Sequence, residues 1–338
     1  MASMDLSGTW AAALADEALR RSFPDPELDD SGWATLPVPG HWRSSPVFAR
    51  HDDPVLYRRR FEAPRPQPAR RAWLTLEGVF YQSDVWLDGS YLGDTEGYFF
   101  PHTFEVTGAL KERTQHLVAV DVACPRPRDL TAKRALTGVF QHWDCLDPDW
   151  NPGGLWRPVR LRETGPVRIA RLRALCAEAG AERAVLELRA VLDAAESGQV
   201  SLHTTVGQAV EHRVEHPVAA GENRVSWRVV VDRPRLWWPR ALGDQPLYDV
   251  AVAVQVDGEE ASDSRLVELG LRQVRMRRWI LTVNGERLFL KGSNQGPARM
   301  QLGEVEAAEL ERDVALAQEA GLDLLRVHGH VSRPELYR

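Results

Sequence analysis

Leu288-Phe289-Leu290-Lys291-Gly292-Ser293-Asn294 and, further on, Leu324-Leu325-Arg326-Val327-His328 are the two short apolar runs that decide the fold. Between them, Glu304 to Ala320 has helical spacing, with Ala307, Leu310, Val314 and Ala317 on one face. Glu304, Glu306 and Glu309 fall in its first turns, where the helix dipole favours anions. Gly321 stands where a left-handed residue ends a helix. Strand, helix and strand with apolar strands make a βαβ unit, the opening of a parallel β/α barrel. A barrel of this kind needs roughly 250 residues, and the sequence stops at Arg338. The expectation is therefore the first βαβ piece of an incomplete (β/α)8 barrel over residues 276–338. A lone βαβ piece of this kind exposes strand edges and a helix face, and is expected to be less stable than what precedes it.

Working back from that stretch, Ile280-Leu281-Thr282-Val283 and Arg287-Leu288-Phe289-Leu290 flank Asn284-Gly285, a hairpin signal. Residues 164–275 alternate with period two. Val185 to Leu192, Val225 to Val231 and Tyr248 to Val256 are the clearest runs, the last followed by an Asp257-Gly258 turn. About seven strands in about 105 residues fit an immunoglobulin-like β-sandwich. Residues 1–163 are also β. Leu56 to Phe61, Ala72 to Leu76, Asp84 to Leu87 and Leu117 to Val122 are short strands, and Asp88-Gly89 is a second hairpin turn. Many strands without intervening helical pattern predict a sandwich of jelly-roll kind. The fold class expected is mainly β: jelly roll, then immunoglobulin-like sandwich, then the barrel piece.

The chain has 338 residues, 43% hydrophobic and 27% charged, with net charge −6 and no basic stripe, which excludes a nucleic-acid binder. No run is long and apolar enough for a membrane span. Cys124, Cys145 and Cys176 are widely spaced, with no Cys-x-x-Cys or Cys/His metal pattern. The start, Met-Ala-Ser-Met-Asp-Leu-Ser, has no signal-peptide pattern, so a cytoplasmic location is the expectation. No metal, cofactor or particular oligomeric state is implied.

Four segments in order resemble glycoside hydrolase family 2. Gly78-Val79-Phe80-Tyr81-Gln82-Ser83-Asp84-Val85-Trp86-Leu87-Asp88-Gly89 is similar to its jelly-roll hairpin. Asn151-Pro152-Gly153-Gly154-Leu155-Trp156-Arg157-Pro158-Val159 is similar to that domain's closing strand. Leu236-Trp237-Trp238-Pro239 with Gln245-Pro246-Leu247-Tyr248 resembles the end of its second domain. Phe289 to Asn294, with Pro297-Ala298, and Leu325-Arg326-Val327 resemble the first two barrel strands of its β-mannosidases. The chain departs from that pattern at Gln295, Arg299 and His328, and Gly329 replaces the histidine of the β-galactosidase-type Arg-x-x-His-Tyr-Pro.

The resemblance implies a retaining exo-β-glycosidase acting on a β-linked glycoside. Such enzymes place two carboxyl groups roughly 5–5.5 Å apart. By resemblance these follow the fourth and seventh barrel strands, so no catalytic acid, base or nucleophile is assigned here. Asn294 and Arg326 end strands one and two, where barrel active sites form. By resemblance Arg326 orients the nucleophile; the alternative is a structural arginine. His328 and His330 are candidate sugar contacts, solvated loop residues or, less plausibly with no third ligand, metal ligands. Trp143 and Asp144 lie in a loop dense in tryptophan and aspartate, suited to stacking on a sugar and binding its hydroxyls. Trp237 and Trp238 read as packing. Two further readings stay open: a non-catalytic carbohydrate-binding or interaction module, and an inactive gene fragment.

Overall fold

The computed structural model describes residues 3–126, 135–142, 147, 149–208, 210–256 and 261–337. They form two compact units. One comprises the described residues of Ala2–Glu163, Ser293–Ala320 and Leu325–Arg338; the other comprises Thr164–Gly292 and Gly321–Leu324.

The first unit is built on a jelly-roll-type β-sandwich. Its larger sheet runs, in spatial order, Ala34–Val38, Gly8–Leu14, Val55–Glu62, Gln115–Ala123, Gln82–Leu87 and Ser90–Glu96. Its smaller sheet runs Ser3–Asp5, Val159–Thr164, Arg71–Leu76 and His102–Glu105. Trp10, Trp42, Tyr57, Phe80 and Trp156 are fully buried in its core. The Asp88-Gly89 turn has φ of 51° and 81°, the left-handed pair that a type I′ hairpin needs. The helix Glu17–Ser22 belongs to the outer face of the larger sheet, where Phe23, Leu56 and Ala119 form a second small core with Leu19 and Trp86. This is why Gln115–Ala123 is buried along nearly its whole length instead of alternating. Arg58 is buried there as well. Its guanidinium donates to Asp30 Oδ2 at 2.5 Å and to the carbonyls of Leu28 and Asp25 at 3.0 and 2.7 Å.

The second unit is an immunoglobulin-like sandwich of seven strands. Val167–Ala179, Arg183–Ala194 and Gly221–Asp232 form one sheet; Val210–Val218, Gly198–Val206, Tyr248–Val256 and Asp263–Leu269 form the other. Leu186, Leu188, Leu202, Trp227, Val229 and Val252 fill the space between them. The Trp227 indole N–H donates to Thr204 Oγ1 at 3.0 Å, so its one polar atom is satisfied in the core. Asp263, fully buried, accepts the Ile169 amide at 2.8 Å and the Ser264 amide at 2.7 Å. Asp257-Gly258 lies outside the described residues. Trp237 and Trp238 are half-buried, Trp237 beneath the Arg272 guanidinium at 4.3 Å.

The stretch Val274–Arg277, Ile280–Val283 and Glu286–Leu288 is a three-stranded meander that groups with this second unit. Asn284 and Gly285 turn it at φ of 51° and 92°.

Ser293–Ala320 and the described residues from Leu325 on belong to the first unit. Gly292–Gln295 pairs with Leu324–Val327. The Lys291 carbonyl accepts from the Asp323 and Leu324 amides, and the Gln295 carbonyl accepts from His328. Residue numbers rise together along the two strands, so the pair is parallel. With the helix Ala307–Glu319 between them it is a βαβ unit. Three expectations are corrected here. The first strand is Gly292–Gln295 and not the apolar run before it; Phe289 is 85% exposed. The helix starts at Ala307, because Leu302–Glu304 forms a separate 3₁₀ turn. Glu306 then caps the helix in a reciprocal box with Glu309. The βαβ piece is also not left bare. Met300, Leu302, Val305 and Leu310 are buried in the same core as the jelly roll.

Candidate functional site

Asn294 and Arg326 lie on adjacent parallel strands near their C-terminal ends. Arg326 Nη1 donates to Asn294 Oδ1 at 3.1 Å and to His328 Nδ1 at 2.7 Å. A guanidinium only donates, so His328 Nδ1 is the acceptor and its proton sits on Nε2. His330 Nδ1 donates to the His328 carbonyl at 3.0 Å, which leaves His330 Nε2 as a lone-pair acceptor. Burial, opposed by the bond to the His328 carbonyl, holds the His330 imidazole below its ordinary value, so it is neutral at pH 7. The four residues predicted from the barrel strands thus form one chain of contacts. Asn294, Arg326 and His328 are exposed, and no carboxylate among the described residues pairs with Arg326.

His330 connects this cluster to a cleft of about 410 Å³. The cleft is lined by Tyr98 and Phe99 from the loop after Ser90–Glu96, by residues of the 135–142 loop including Phe140 and Gln141, and by Gly329, His330 and Val331. Its wall is an aromatic stack. The Tyr98 ring lies on Phe80 with centroids 4.1 Å apart and planes 15° apart, and Phe140 meets Phe80 edge-on at 5.4 Å. The Val331 amide donates to the Tyr98 hydroxyl at 3.1 Å, while burial pushes that phenol up to about 12. Thr137 Oγ1 donates its one proton to the Phe140 carbonyl at 2.8 Å and lies 3.3 Å from Gln141 Oε1; the buried Gln141 Nε2 has no partner among the described residues. The neutral imidazole of His330 is the acceptor that the cleft residues offer to a hydroxyl group.

Trp143 and Asp144 lie outside the described residues. Sequence reading missed Tyr98, Phe99 and Phe140; Gln141 opens the Gln141-His142-Trp143-Asp144 stretch that it singled out. A signal for part of it existed in Tyr98-Phe99-Phe100-Pro101, an aromatic run directly after a strand, in which Tyr98 is core while Phe99 and Phe100 are exposed. Among the described residues no group of histidine, cysteine or carboxylate side chains is arranged to hold a metal. No helix among them is long and apolar enough to cross a membrane.

Two β-sandwich units, with a parallel strand–helix–strand piece sealed onto the first beside a polar and aromatic cleft, define a modular protein of the kind that builds glycosidases. Sequence profiles agree. One described as "Glycosyl hydrolase 2 galactose-binding domain-like" matches residues 46–157, and one described as "Glycosyl hydrolases family 2" matches residues 168–272. The chain belongs to glycoside hydrolase family 2. It is 24% identical to a beta-galactosidase of Vibrio cholerae over 98% of this chain and 34% of that protein. It is 27% identical to an exo-beta-D-glucosaminidase of Hypocrea virens over 84% of this chain and 33% of that protein. In three dimensions it superposes on the beta-D-mannosidase of Dictyoglomus thermophilum with a TM-score of 0.80 at 20% identity, over 100% of this chain and 46% of that one. The chain therefore spans about a third of the length of the curated relatives it matches.

Proposed function

We propose that this chain is the amino-terminal part of a retaining exo-β-glycosidase of β-mannosidase type, which hydrolyses a terminal β-linked sugar. In this reading the chain supplies the sugar-holding wall and the strand-end cluster, and the remainder of a longer protein supplies the two carboxyl groups. The observation that carries the proposal is the contact chain Asn294–Arg326–His328–His330, which runs from the ends of two parallel strands to the aromatic cleft. Strand ends are where β/α barrels do their chemistry. Arg326 is a fixed positive charge there, placed to hold an anionic nucleophile ionised. The mannoside preference rests on the sequence likeness of Phe289 to Asn294 and Leu325 to Val327.

A second reading is favoured by one observation: the cleft residues named above all belong to the first compact unit. The chain by itself then binds carbohydrate without turning it over. Both readings are tested by assaying the 338-residue chain and a carboxy-terminally extended protein against aryl β-mannosides, β-galactosides and β-glucosaminides, with monosaccharide binding followed by calorimetry. Turnover by the extended protein alone, fastest on the mannoside, supports the first reading. Binding without turnover by either protein supports the second. Turnover by the 338-residue chain overturns the assignment of the carboxyl pair to a missing segment.

A further inference from the structure

His41 is 1% exposed, yet both of its ring nitrogens are hydrogen-bonded. It sits in the loop Pro39-Gly40-His41-Trp42. That loop is fastened to the 153–155 segment by Gly40 N–H to the Leu155 carbonyl at 2.8 Å and Trp42 N–H to the Gly153 carbonyl at 3.0 Å. His41 Nδ1 lies 2.7 Å from the Pro152 carbonyl oxygen, which only accepts. On the other side the Gly303 amide donates to His41 Nε2 at 2.8 Å. The two partners fix one protonation state: proton on Nδ1, lone pair on Nε2.

Gly303 lies in the 3₁₀ turn Leu302–Glu304, midway between the strand that carries Asn294 and the helix Ala307–Glu319. It comes close enough that a Cβ would meet the Trp156 carbonyl at 2.8 Å, so no side chain could fill the approach. Leu302 and Val305 on either side are buried in the jelly-roll core. The Phe80 and Trp150 rings flank the imidazole at 5.9 and 6.3 Å and exclude water.

We propose that His41 is a latch: acting only as the neutral Nδ1–H tautomer, it fixes through the Gly303 amide the loop that follows Asn294, and it releases that loop on protonation. In the imidazolium both nitrogens donate, so Nε2–H would face the Gly303 N–H donor to donor. The surroundings keep the ring neutral until strong acid. Burial lowers its pKa to about 4, opposed by the bond to Pro152 and by the charge of Glu304. The neighbouring cations are committed elsewhere. Arg43 donates to Asp52 and to the Asp149 carbonyl, and Arg333 donates to the Val305 carbonyl and pairs with Glu335. The latch stands without any assigned activity; its bearing on sugar chemistry rests on the reading above.

The test is amide hydrogen exchange by NMR on the 338-residue chain, comparing Gly303 with Val120 in the jelly-roll core. In the native protein Gly303 protection is expected to fall at least tenfold as pH drops through about 4, while Val120 stays protected. His41→Gln keeps an acceptor that does not titrate, and should remove the acid step while retaining protection at pH 7. His41→Asn retains the Pro152 side only, and should leave Gly303 at least tenfold less protected at every pH. Ring ¹⁵N shifts of the native protein give an answer that needs no variant: Nε2 must be unprotonated at pH 7. An Nε2–H tautomer, a Gly303 profile that is flat in acid, or an acid step shared by Gly303 and Val120 overturns the proposal. Failure of the glycosidase reading would show only in turnover, which none of these measurements uses.

Discussion

Gly138 and Gly329 meet backbone to backbone: the Val139 amide donates to the Gly329 carbonyl at 2.8 Å, and a Cβ on Gly138 would sit 1.9 Å from that oxygen. Both glycines are left-handed, at φ of 68° and 61°. A Cβ on Gly329 would strike Val139 Cγ1 at 2.6 Å. This contact closes one wall of the cleft by joining the 135–142 loop to the loop after Leu324–Val327. It also explains a departure noted in the sequence. At Gly329, where the resembled Arg-x-x-His-Tyr-Pro pattern has histidine, a side chain would take a left-handed φ and meet Val139 Cγ1.

Gly138→Ala should therefore cost about 2–4 kcal/mol, combining left-handed strain with a backbone clash that must be relieved by movement. Gly285→Ala is the matched control. It too has positive φ, at 92°, but its Cβ would enter open space. It should cost only about 1 kcal/mol. Urea-denaturation midpoints of the two variants decide this, and equal losses would mean that the Gly138–Gly329 approach carries no energetic weight.

The buried Arg58–Asp30 pair should be costly to break and cheaper to remove. Arg58 has no exposed side-chain surface and Asp30 retains 20%. Asp30→Ala leaves a buried guanidinium with only the Leu28 and Asp25 carbonyls as acceptors. A loss of about 3 kcal/mol is expected. Adding Arg58→Met should restore part of it, because the uncompensated charge goes too. A double-mutant cycle on denaturation midpoints measures the coupling, and a double variant less stable than Asp30→Ala alone would contradict the argument.

Much of the sandwich architecture was legible because its signals are local. Asp88-Gly89 and Asn284-Gly285 announce hairpins through backbone conformation alone, and both adopt it. Val185 to Leu192 alternates because one face is core, and the strand extends to Arg183–Ala194. The errors arose where tertiary contact overrides pattern. Glu304 to Ala320 reads as one helix, but Leu302 and Val305 are drawn into the jelly-roll core, Leu302–Glu304 turns as a 3₁₀ segment, and the helix starts at Ala307. Leu288-Phe289-Leu290 has the composition of a strand, yet the hydrogen bonds of Lys291 and Gln295 place the pairing further on. The cleft joins residues near positions 98, 140 and 330, which no local window brings together. Asn294 and Arg326 fall in the two parallel strands, Gly292–Gln295 and Leu324–Val327, although the first of these was expected earlier in the sequence.

Sugar binding to the cleft should weaken in acid. Burial lowers the His330 pKa, so the ring is neutral at pH 7 and Nε2 accepts. As pH falls through that lowered value the ring gains a proton, Nε2 becomes a donor, and a hydroxyl loses its acceptor. Affinity for a monosaccharide ligand should therefore be constant above the ordinary imidazole range and fall below it. His330→Gln, which does not titrate, should flatten the profile. Calorimetric Kd values from pH 7.5 to about 5, within the range over which histidine responds to its surroundings, would reject this if both proteins lost affinity in parallel.

In an extended, active protein, Arg326→Ala and Gln141→Ala should fail in different ways. Arg326 is exposed and, among the described residues, hydrogen-bonds only Asn294 and His328, so its loss should change the unfolding free energy by no more than about 0.5 kcal/mol. Its proposed task is electrostatic: to keep a nearby carboxylate ionised for attack. Removing the cation raises that carboxylate's pKa and lowers the fraction able to react. The loss should fall on kcat, by on the order of a hundredfold as for other preorganised charges, with a pH–rate profile shifted upward. The task proposed for Gln141 is to shape the cleft wall that holds the sugar before and during reaction alike, so Gln141→Ala should raise KM with kcat nearly unchanged. Steady-state kinetics across pH separate the two cases. A wild-type kcat and unmoved profile for Arg326→Ala would remove the strand-end cluster from the active site and leave the cleft as a binding surface alone.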